Sequence, residues 1–460
     1  MKGLVCSIKH TSNIVDSLYY IASLSPDSIS LYECLSSAVL KPGEEIEAKE
    51  FNGKIEPTKI KDGDADKYES AARRLAKKAT RKYKSIGIKE ADALTDLMEP
   101  KLKAAVQFFL FKLLLGAPMV IRFHNDSDGA SGALGLFRAL KSTEVAAHFE
   151  NRITWRMHRG VSYSAENAID DMLFANNFSS IEKPLLVIID FGTAPESNEG
   201  IKEVKDKFDI VWLDHHPIAE EFDGISIENY INPWQFGGDS NYTAGLLACT
   251  FASMFANIDI NTIANASLIG DYSTFIKDDE DSRKLSTILE LLTSDSSIID
   301  SRSLTPYDID EVISKKEKFD ELFSYATMQL EEALASALAS VKSYKSQLAN
   351  IYTIDFKNIR NADTKYPLPG RFASKLLSKL EELSGRQCIL ILHFYSFISI
   401  RSSKQVDINL VDVVNEAKKA YRVVESAGGH KNAASIKLAD EYAKKEVINS
   451  LLIRFGCSVK

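Results

Sequence analysis

Apolar and polar positions change period several times along the chain, and each change marks an element. Ala117–Phe123 is an apolar run of strand length that includes Arg122, and it is followed by a small-residue segment, Ala130–Gly135, that reads as a helix start. Pro184–Ile189 and Phe208–Leu213 are two more strand-like runs. From 117 to about 275, strand and helix patterns alternate, which predicts a doubly wound parallel sheet. From Asp281 to Leu348 the pattern is mostly helical, interrupted by the polar stretch Ser294–Thr305, and Leu330, Leu334, Leu338 and Val341 share one helix face. A second α/β unit follows, with strands at Ile351–Ile354, Cys388–Leu392, Phe394–Ile400 and Ala433–Leu438. Its helices fall near Gly370–Leu383, Leu410–Lys419 and Asp440–Arg454.

The amino-terminal part is less regular. Residues 1–60 mix short strand-like runs with turn residues and give no fold. Asp64–Ser85 turns helical and carries Arg73, Arg74, Lys77, Lys78, Arg81, Lys82 and Lys84 at helical spacing. That basic face suits either phosphate contact or simple solvation. A further helix is expected over Lys89–Leu115, with Pro100 as its boundary. The expected organisation is therefore an extension (1–100), an α/β domain (101–280), a helical connector (281–349) and a smaller α/β domain (350–460).

Composition narrows the class. At 460 residues the chain exceeds one ordinary core, so several domains are required. No apolar run reaches membrane-span length; Val106–Leu115 is short and contains Lys112. The first ten residues read as a strand rather than a signal peptide. Five scattered cysteines without a CxxC pair exclude zinc-ribbon and redox motifs and suggest reduced thiols in a cytoplasmic protein. A net charge of −8 does not favour a protein that coats nucleic acid, though a local basic groove remains compatible with it.

The chemistry concentrates where strands end. His124-Asn125-Asp126-Ser127-Asp128-Gly129 follows the first apolar run, placing an imidazole and two carboxylates at the carboxyl end of a strand. On an extended chain end, Asp126 and Asp128 are expected to point the same way and to repel unless a cation holds them. Asp190 ends the second run, Asp214-His215-His216 the third, and Asp271 ends a helical segment. Each alone would pass as a helix cap or a solvated loop. Together they call for a divalent metal or a pair of them, and mixed His and Asp donors suit manganese, zinc or iron better than calcium, with magnesium also compatible. In the last unit, Gly428-Gly429-His430 precedes the final strand and Arg401-Ser402-Ser403 ends a neighbouring one, groups suited to phosphate.

The order HxDxDG, strand–Asp, Asp-His-His, Gly-Asp and Gly-Gly-His resembles the DHH phosphoesterases, in the subfamily with a DHH-associated carboxyl-terminal domain. That group includes the RecJ nucleases and short-oligonucleotide ribonucleases. Chain length, the amino-terminal extension and His124-Asn125-Asp126 look most like archaeal RecJ-like, GINS-associated nucleases, relatives of a eukaryotic replicative-helicase subunit that is thought to have lost catalysis. The resemblance covers about 117–275 and 350–455 and leaves 1–100 unexplained.

It implies a two-lobed fold in which His124, Asp126 and Asp190 hold one cation and Asp128, Asp190, His215 and Asp271 hold the other, manganese before magnesium. His216 would sit at the phosphate with Asp214 behind it, and Arg371, Arg401, Ser402, Gly428, Gly429 and His430 would grip substrate. The activity implied is exonucleolytic hydrolysis of single-stranded DNA or RNA to nucleoside monophosphates. The alternatives are cleavage of short oligonucleotides or cyclic dinucleotides, or a replisome scaffold binding a GINS-like partner. No membrane association is expected. Tyr242, Trp234, His158 and Arg159 lie in segments that could line a strand-binding groove, although ordinary packing or exposure is the simpler account of each.

Overall fold

The computed structural model describes residues 1–10, 16–51, 54–143, 150–277, 279–359 and 365–458. The chain divides into two compact units, Met1–Lys316 and Glu317–Lys460.

The first unit opens with five strands, β1 (Lys2–Lys9), β2 (Ser17–Leu24), β3 (Ile29–Ser36), β4 (Glu44–Phe51) and β5 (Lys54–Asp62). Pairing runs β2-β3-β5-β4-β1, and β1 also pairs β2, so the ribbon closes into a barrel filled by Val5, Ile8, Tyr19, Ile21, Ile46 and Ile55. A small barrel of this kind, closed by the single parallel β3–β5 contact, has the strand order of an OB-type fold. The outward face of β2 and β3 is not open: Tyr20, Ala22 and Leu31 are buried, and Tyr20 and Leu31 come up against Gly116.

Helix α1 (Ala65–Ala79) covers that face together with α2 (Lys89–Leu114). The basic run is largely committed to this packing. The Arg73 guanidinium lies 4.1 Å from the Phe111 ring centre, Arg74 donates to Pro26 O (3.1 Å), and Arg81 and Lys84 donate to the carbonyls of Phe255 and Ile258. Structural cation contacts thus account for four of the seven basic residues that sequence had offered to phosphate. Helix α2 runs unbroken through Pro100, correcting the expected boundary. Its face of Met98, Leu102, Val106, Phe109 and Leu110 is fully buried, and that burial outweighs the local cost of proline.

The next elements build the doubly wound domain. They are β6 (Met119–His124), α3 (Ser127–Ser142), β7 (Ile153–His158), α4 (Ala165–Ala175), β8 (Phe178–Ser180), β9 (Leu185–Ile189), α5 (Asn198–Val204), β10 (Asp209–Leu213), β11 (Asn229–Ile231), α6 (Ala244–Ser253) and α7 (Asn261–Gly270). The sheet order is β11-β10-β9-β6-β7 with every pair parallel, while β8 extends the barrel sheet instead. Burial of β6, β9 and β10 explains their largely apolar runs, with Arg122 the buried exception in β6. Helices α4 and α5 cover one face through Tyr163, Ala168, Ile201 and Val204, while α3 and α6 pack on the other. In chain order the strands read 2-1-3-4-5, so the topological switch point lies between β6 and β9. Helices α8 (Glu280–Ser294) and α9 (Pro306–Ser314) complete the unit, α9 anchored by Asp310 to Arg138 (2.8 Å) and Lys141 (3.0 Å).

The second unit holds nearly all of α10 (Lys316–Ser340), then β12 (Lys342–Lys345), β13 (Asn350–Asp355), α11 (Pro369–Ser384), β14 (Cys388–Phe394), β15 (Phe397–Ser402), α12 (Leu410–Ala420), β16 (Val424–His430), β17 (Ala433–Leu438) and α13 (Lys444–Arg454). Its mixed sheet runs β12-β13-β14-β15-β17-β16. The helical stretch 281–349 is thus shared between the units, and Leu330, Leu334, Leu338 and Val341 pack on the core formed by α11 and β14. Among the described residues no helix is long and apolar enough to cross a membrane.

One buried ion pair fastens β6 to α4. Arg122 Nε and Nη2 donate to the two oxygens of Asp171 at 2.8 Å, and the Tyr163 hydroxyl adds a third contact. Asp171→Ala would strand a buried guanidinium and is expected to cost about 3–5 kcal/mol of stability. The paired change Arg122→Met/Asp171→Leu should cost less. Denaturant titration of the three proteins checks this, and equal losses would contradict it.

Candidate metal centre

Strand register brings the site together. Phe123, Ile189 and Leu213 lie level across β6, β9 and β10, so His124, Asp190 and Asp214 leave the sheet side by side at the switch point. Asp190 sits in left-handed backbone at φ 71°, an uncommon conformation for a non-glycine residue. Asp126 caps α3, accepting the Gly129 amide at 3.0 Å, while Asp128 lies inside the first helical turn and is fully buried. The extended geometry expected for this pair is thereby corrected: helix onset separates their carboxylates into two different groups. The turn requires Gly129, because a Cβ there would lie 2.6 Å from the His124 backbone.

Two clusters share Asp190. On one side His124 Nδ1 lies 3.0 Å from Asp126 Oδ2 and 3.7 Å from Asp190 Oδ2. On the other, His215 Nε2 lies 3.3 Å from Asp190 Oδ1, 3.3 Å from Asp271 Oδ2 and 3.5 Å from Asp128 Oδ2. Both oxygens of Asp190 are buried without a hydrogen-bond donor among the described residues. Asp271 caps the end of α7 and is followed by Tyr272 at φ 52°.

The electrostatics call for cations. Burial raises the Asp128 carboxyl well above its ordinary range, and the neighbouring Asp190 and Asp271 charges raise it further. Burial alone would lower the imidazoles. The surrounding carboxylates outweigh it and hold His124 and His215 well above the usual histidine value. Asp214 is held below its ordinary range: burial opposes this, but the His216 imidazole at 2.8 Å and the His215 amide prevail. Four carboxylates facing two imidazoles match the formal charge of two divalent ions. The mixed N/O donor set suits manganese, zinc or iron better than calcium and is compatible with magnesium.

Groups that sequence did not single out hold these donors. Asp128 lies at the amino terminus of α6, where Ala244 N–H donates to Oδ2 (3.0 Å) and Gly245 N–H to Oδ1 (2.7 Å). Ser267 Oγ adds a 2.5 Å bond to Oδ1 and is itself bonded to Thr243. The His215 Nδ1–H donates to Ser240 O (3.0 Å), fixing the tautomer that turns the Nε2 lone pair toward the carboxylates. The only sequence signal for this layer is Thr243 as a helix cap. Ser267 lies 139 residues from Asp128 and has no local mark.

Gly428 and Gly429 lie within β16 rather than in a turn before a strand, and the backbone of His430 ends that strand. The side chains of His430 and Arg371 lie outside the described residues. Arg401 is engaged with its own unit, donating to Ser374 Oγ (3.1 Å), Ser399 Oγ (2.9 Å) and Gly370 O (3.1 Å). Ser402 is buried and accepts from Asn432 (3.0 Å). Tyr242 is fully buried against Thr95 and Thr250, so it lines no groove. His158 is stacked on Phe191 with ring centres 4.0 Å apart, and burial pushes its imidazole down to about 3. Arg159 is exposed and Trp234 partly exposed.

Comparisons with known proteins bear on the fold that carries these residues. Residues 118–270 match the DHH family, N-terminal domain. A curated relative, an uncharacterized protein of Methanocaldococcus jannaschii, is 27% identical over 243 residues, covering 48% of this chain. That match spans only 31% of the relative, so the chain accounts for less than a third of its length. Among solved structures, the DHH domain of a member of the s1p family of ribosomal proteins superposes with a TM-score of 0.69 at 20% identity, over 85% of this chain and 98% of that one. The two share a fold. RecJ from Thermus thermophilus, solved with Mn2+, gives a TM-score of 0.49 at 14% identity over 85% of this chain and 60% of that one.

Because His124 and His215 carry protons to unusually high pH in the metal-free chain, cations must displace protons to bind. Apparent Mn2+ affinity is therefore expected to rise from pH 5.5 to 7.5, with proton release detectable by calorimetry in buffers of different ionisation heat. A pH-independent affinity would contradict the site. Gly129→Ala should weaken Mn2+ binding by at least about tenfold, since the helix start must shift away from β6.

Proposed function

We propose that this DHH-family chain is a divalent-metal phosphodiesterase that removes nucleoside monophosphates from an end of single-stranded DNA or RNA. The observation carrying the reading is the Asp190 carboxylate. Its two buried oxygens face His124 on one side and His215 on the other, at 3.7 and 3.3 Å. That is the disposition of a ligand shared between two neighbouring cations. His124, Asp126 and Asp190 would hold one ion and Asp128, Asp190, His215 and Asp271 the other, manganese before magnesium. Bound there, the ions would polarise a phosphoryl oxygen and make a nearby water acidic enough to attack phosphorus.

The chain's own groups supply positioning and a further charge. His216 is 36% exposed and its Nδ1 is committed to Asp214 at 2.8 Å. Burial opposes protonation of His216, but the Asp214 carboxylate raises its pKa above the ordinary value. In its imidazolium form His216 can donate to a phosphate oxygen as negative charge develops. Asp214, fully buried, fixes the ring rather than touching substrate. In the second unit, Arg371, Gly428, Gly429 and His430 are the residues proposed to bind nucleic acid. Arg401 and Ser402 would first have to exchange the partners they hold.

The intact acid set argues against a purely structural role, because an unused cage of repelling carboxylates would be a standing cost to the fold. His215→Ala and Asp271→Asn are expected to lower turnover more than the roughly 10–100-fold caused by loss of an outer partner, with little change in melting temperature. Digestion of end-labelled DNA and RNA strands with Mn2+ or Mg2+ measures this. Undiminished turnover in both variants would defeat the assignment. A rate that collapses beyond a few nucleotides would shift the substrate to short oligonucleotides or cyclic dinucleotides.

A further inference from the structure

We infer that Trp234 is a stacking platform for a nucleobase of the strand whose phosphate occupies the centre, an inference that rests on the reading above. Of the three tryptophans, Trp212 is wholly buried, whereas Trp234 is 42% exposed. Its position is tied to the site by backbone. The indole Nε1–H donates to the carbonyl of His215 (3.1 Å), the same residue whose imidazole faces three carboxylates. Ser240 Oγ donates to that carbonyl as well (2.9 Å), and Asn232 Nδ2 donates to the carbonyl of His216 (3.0 Å). The turn Pro233–Phe236 is thus keyed to both histidines of the centre.

The turn is also stiff. Asn232 and Gln235 form a reciprocal cap across it, Pro233 occupies its first position, and Lys101 donates to Gln235 Oε1 (3.3 Å). With the one polar atom of the indole satisfied inward, the exposed remainder is apolar carbon. A rigid aromatic surface beside a phosphate-binding centre suits a base, whose π face stacks regardless of sequence. A protein interface fits less well. Of the residues that follow, Phe236 is apolar but half-buried, and Gln235, Gly237, Gly238, Asp239 and Ser240 are small or polar, so the apolar area is not extended into a broad patch.

The test compares an ordinary single strand with one of equal length carrying abasic sites at its terminal positions. Trp234→Ala is expected to raise KM for the ordinary strand about 5- to 150-fold with a much smaller change in kcat, and to raise it far less for the abasic strand. Trp234→Phe should restore most of the loss, because it keeps a ring while giving up the N–H. In the wild type, oligonucleotide added in EDTA should quench indole fluorescence, and the quench should vanish in Trp234→Phe. Equal losses on both strands would overturn the inference in favour of a role confined to His215, as would an unchanged KM. Self-association abolished by Trp234→Ala, with KM unaltered, would assign the residue to a protein contact. If the wild type hydrolyses neither strand, the phosphodiesterase reading fails, and base-dependent quenching in EDTA still decides the stacking role.

Discussion

Five carboxylates, those of Asp126, Asp128, Asp190, Asp214 and Asp271, converge where three parallel strands end, and their mutual repulsion is the constraint around which the first unit is organised. Backbone amides and imidazoles offset only part of it. Asp128 has the amino terminus of α6 and Ser267; Asp214 has the amides of its own segment and His216. Among the described residues no backbone amide donates to the Asp190 carboxylate, whose buried oxygens lie 3.3 Å from His215 Nε2 and 3.7 Å from His124 Nδ1. A protein that retains such a group needs positive charge at that point, and divalent ions supply it in the smallest volume.

The scaffold meets this demand by register. Parallel pairing sets Phe123, Ile189 and Leu213 level, so donors from three separate segments arrive on one line without long loops. Asp271 comes from a helix end, and Asp128 from a helix start pressed against β6. Gly245 allows the last of these contacts, since a Cβ there would lie 2.7 Å from Asp128 Oδ1. The barrel and α1, which carry much of the amino-terminal charge, are packed into the same unit through Arg73, Arg74, Arg81 and Lys84 and serve as a buttress.

The apolar runs at 117–123, 184–189 and 208–213 were legible because strands buried on both faces admit few polar residues, Arg122 being held by its pairing with Asp171. The acids and imidazoles that end those runs were legible for the same reason: they break the pattern abruptly. The barrel over 1–62 was not legible. Its β2–β3 and β4–β5 hairpins are local, but closure joins β1 to β4 and β3 to β5, and β1 and β2 are buried on both faces, so no two-residue alternation marks them. Pro100 misled because tertiary burial of α2 outweighed a local rule. Arg401 and Ser402 carry suitable chemistry, yet Ser374, Gly370 and Asn432 hold them from other segments, and no spacing in the sequence announces those partners.

By itself, then, the sequence determined which side chains could meet a cation and that strand ends would present them, since both follow from local composition and periodicity. Only the tertiary structure decided that Asp126 and Asp128 face different clusters, that Asp190 stands between them, and that the His215 carbonyl anchors an exposed indole. Those facts depend on helix onset, strand register and contacts between residues far apart in the chain, and physical proximity of that kind is created by folding rather than written in neighbouring residues.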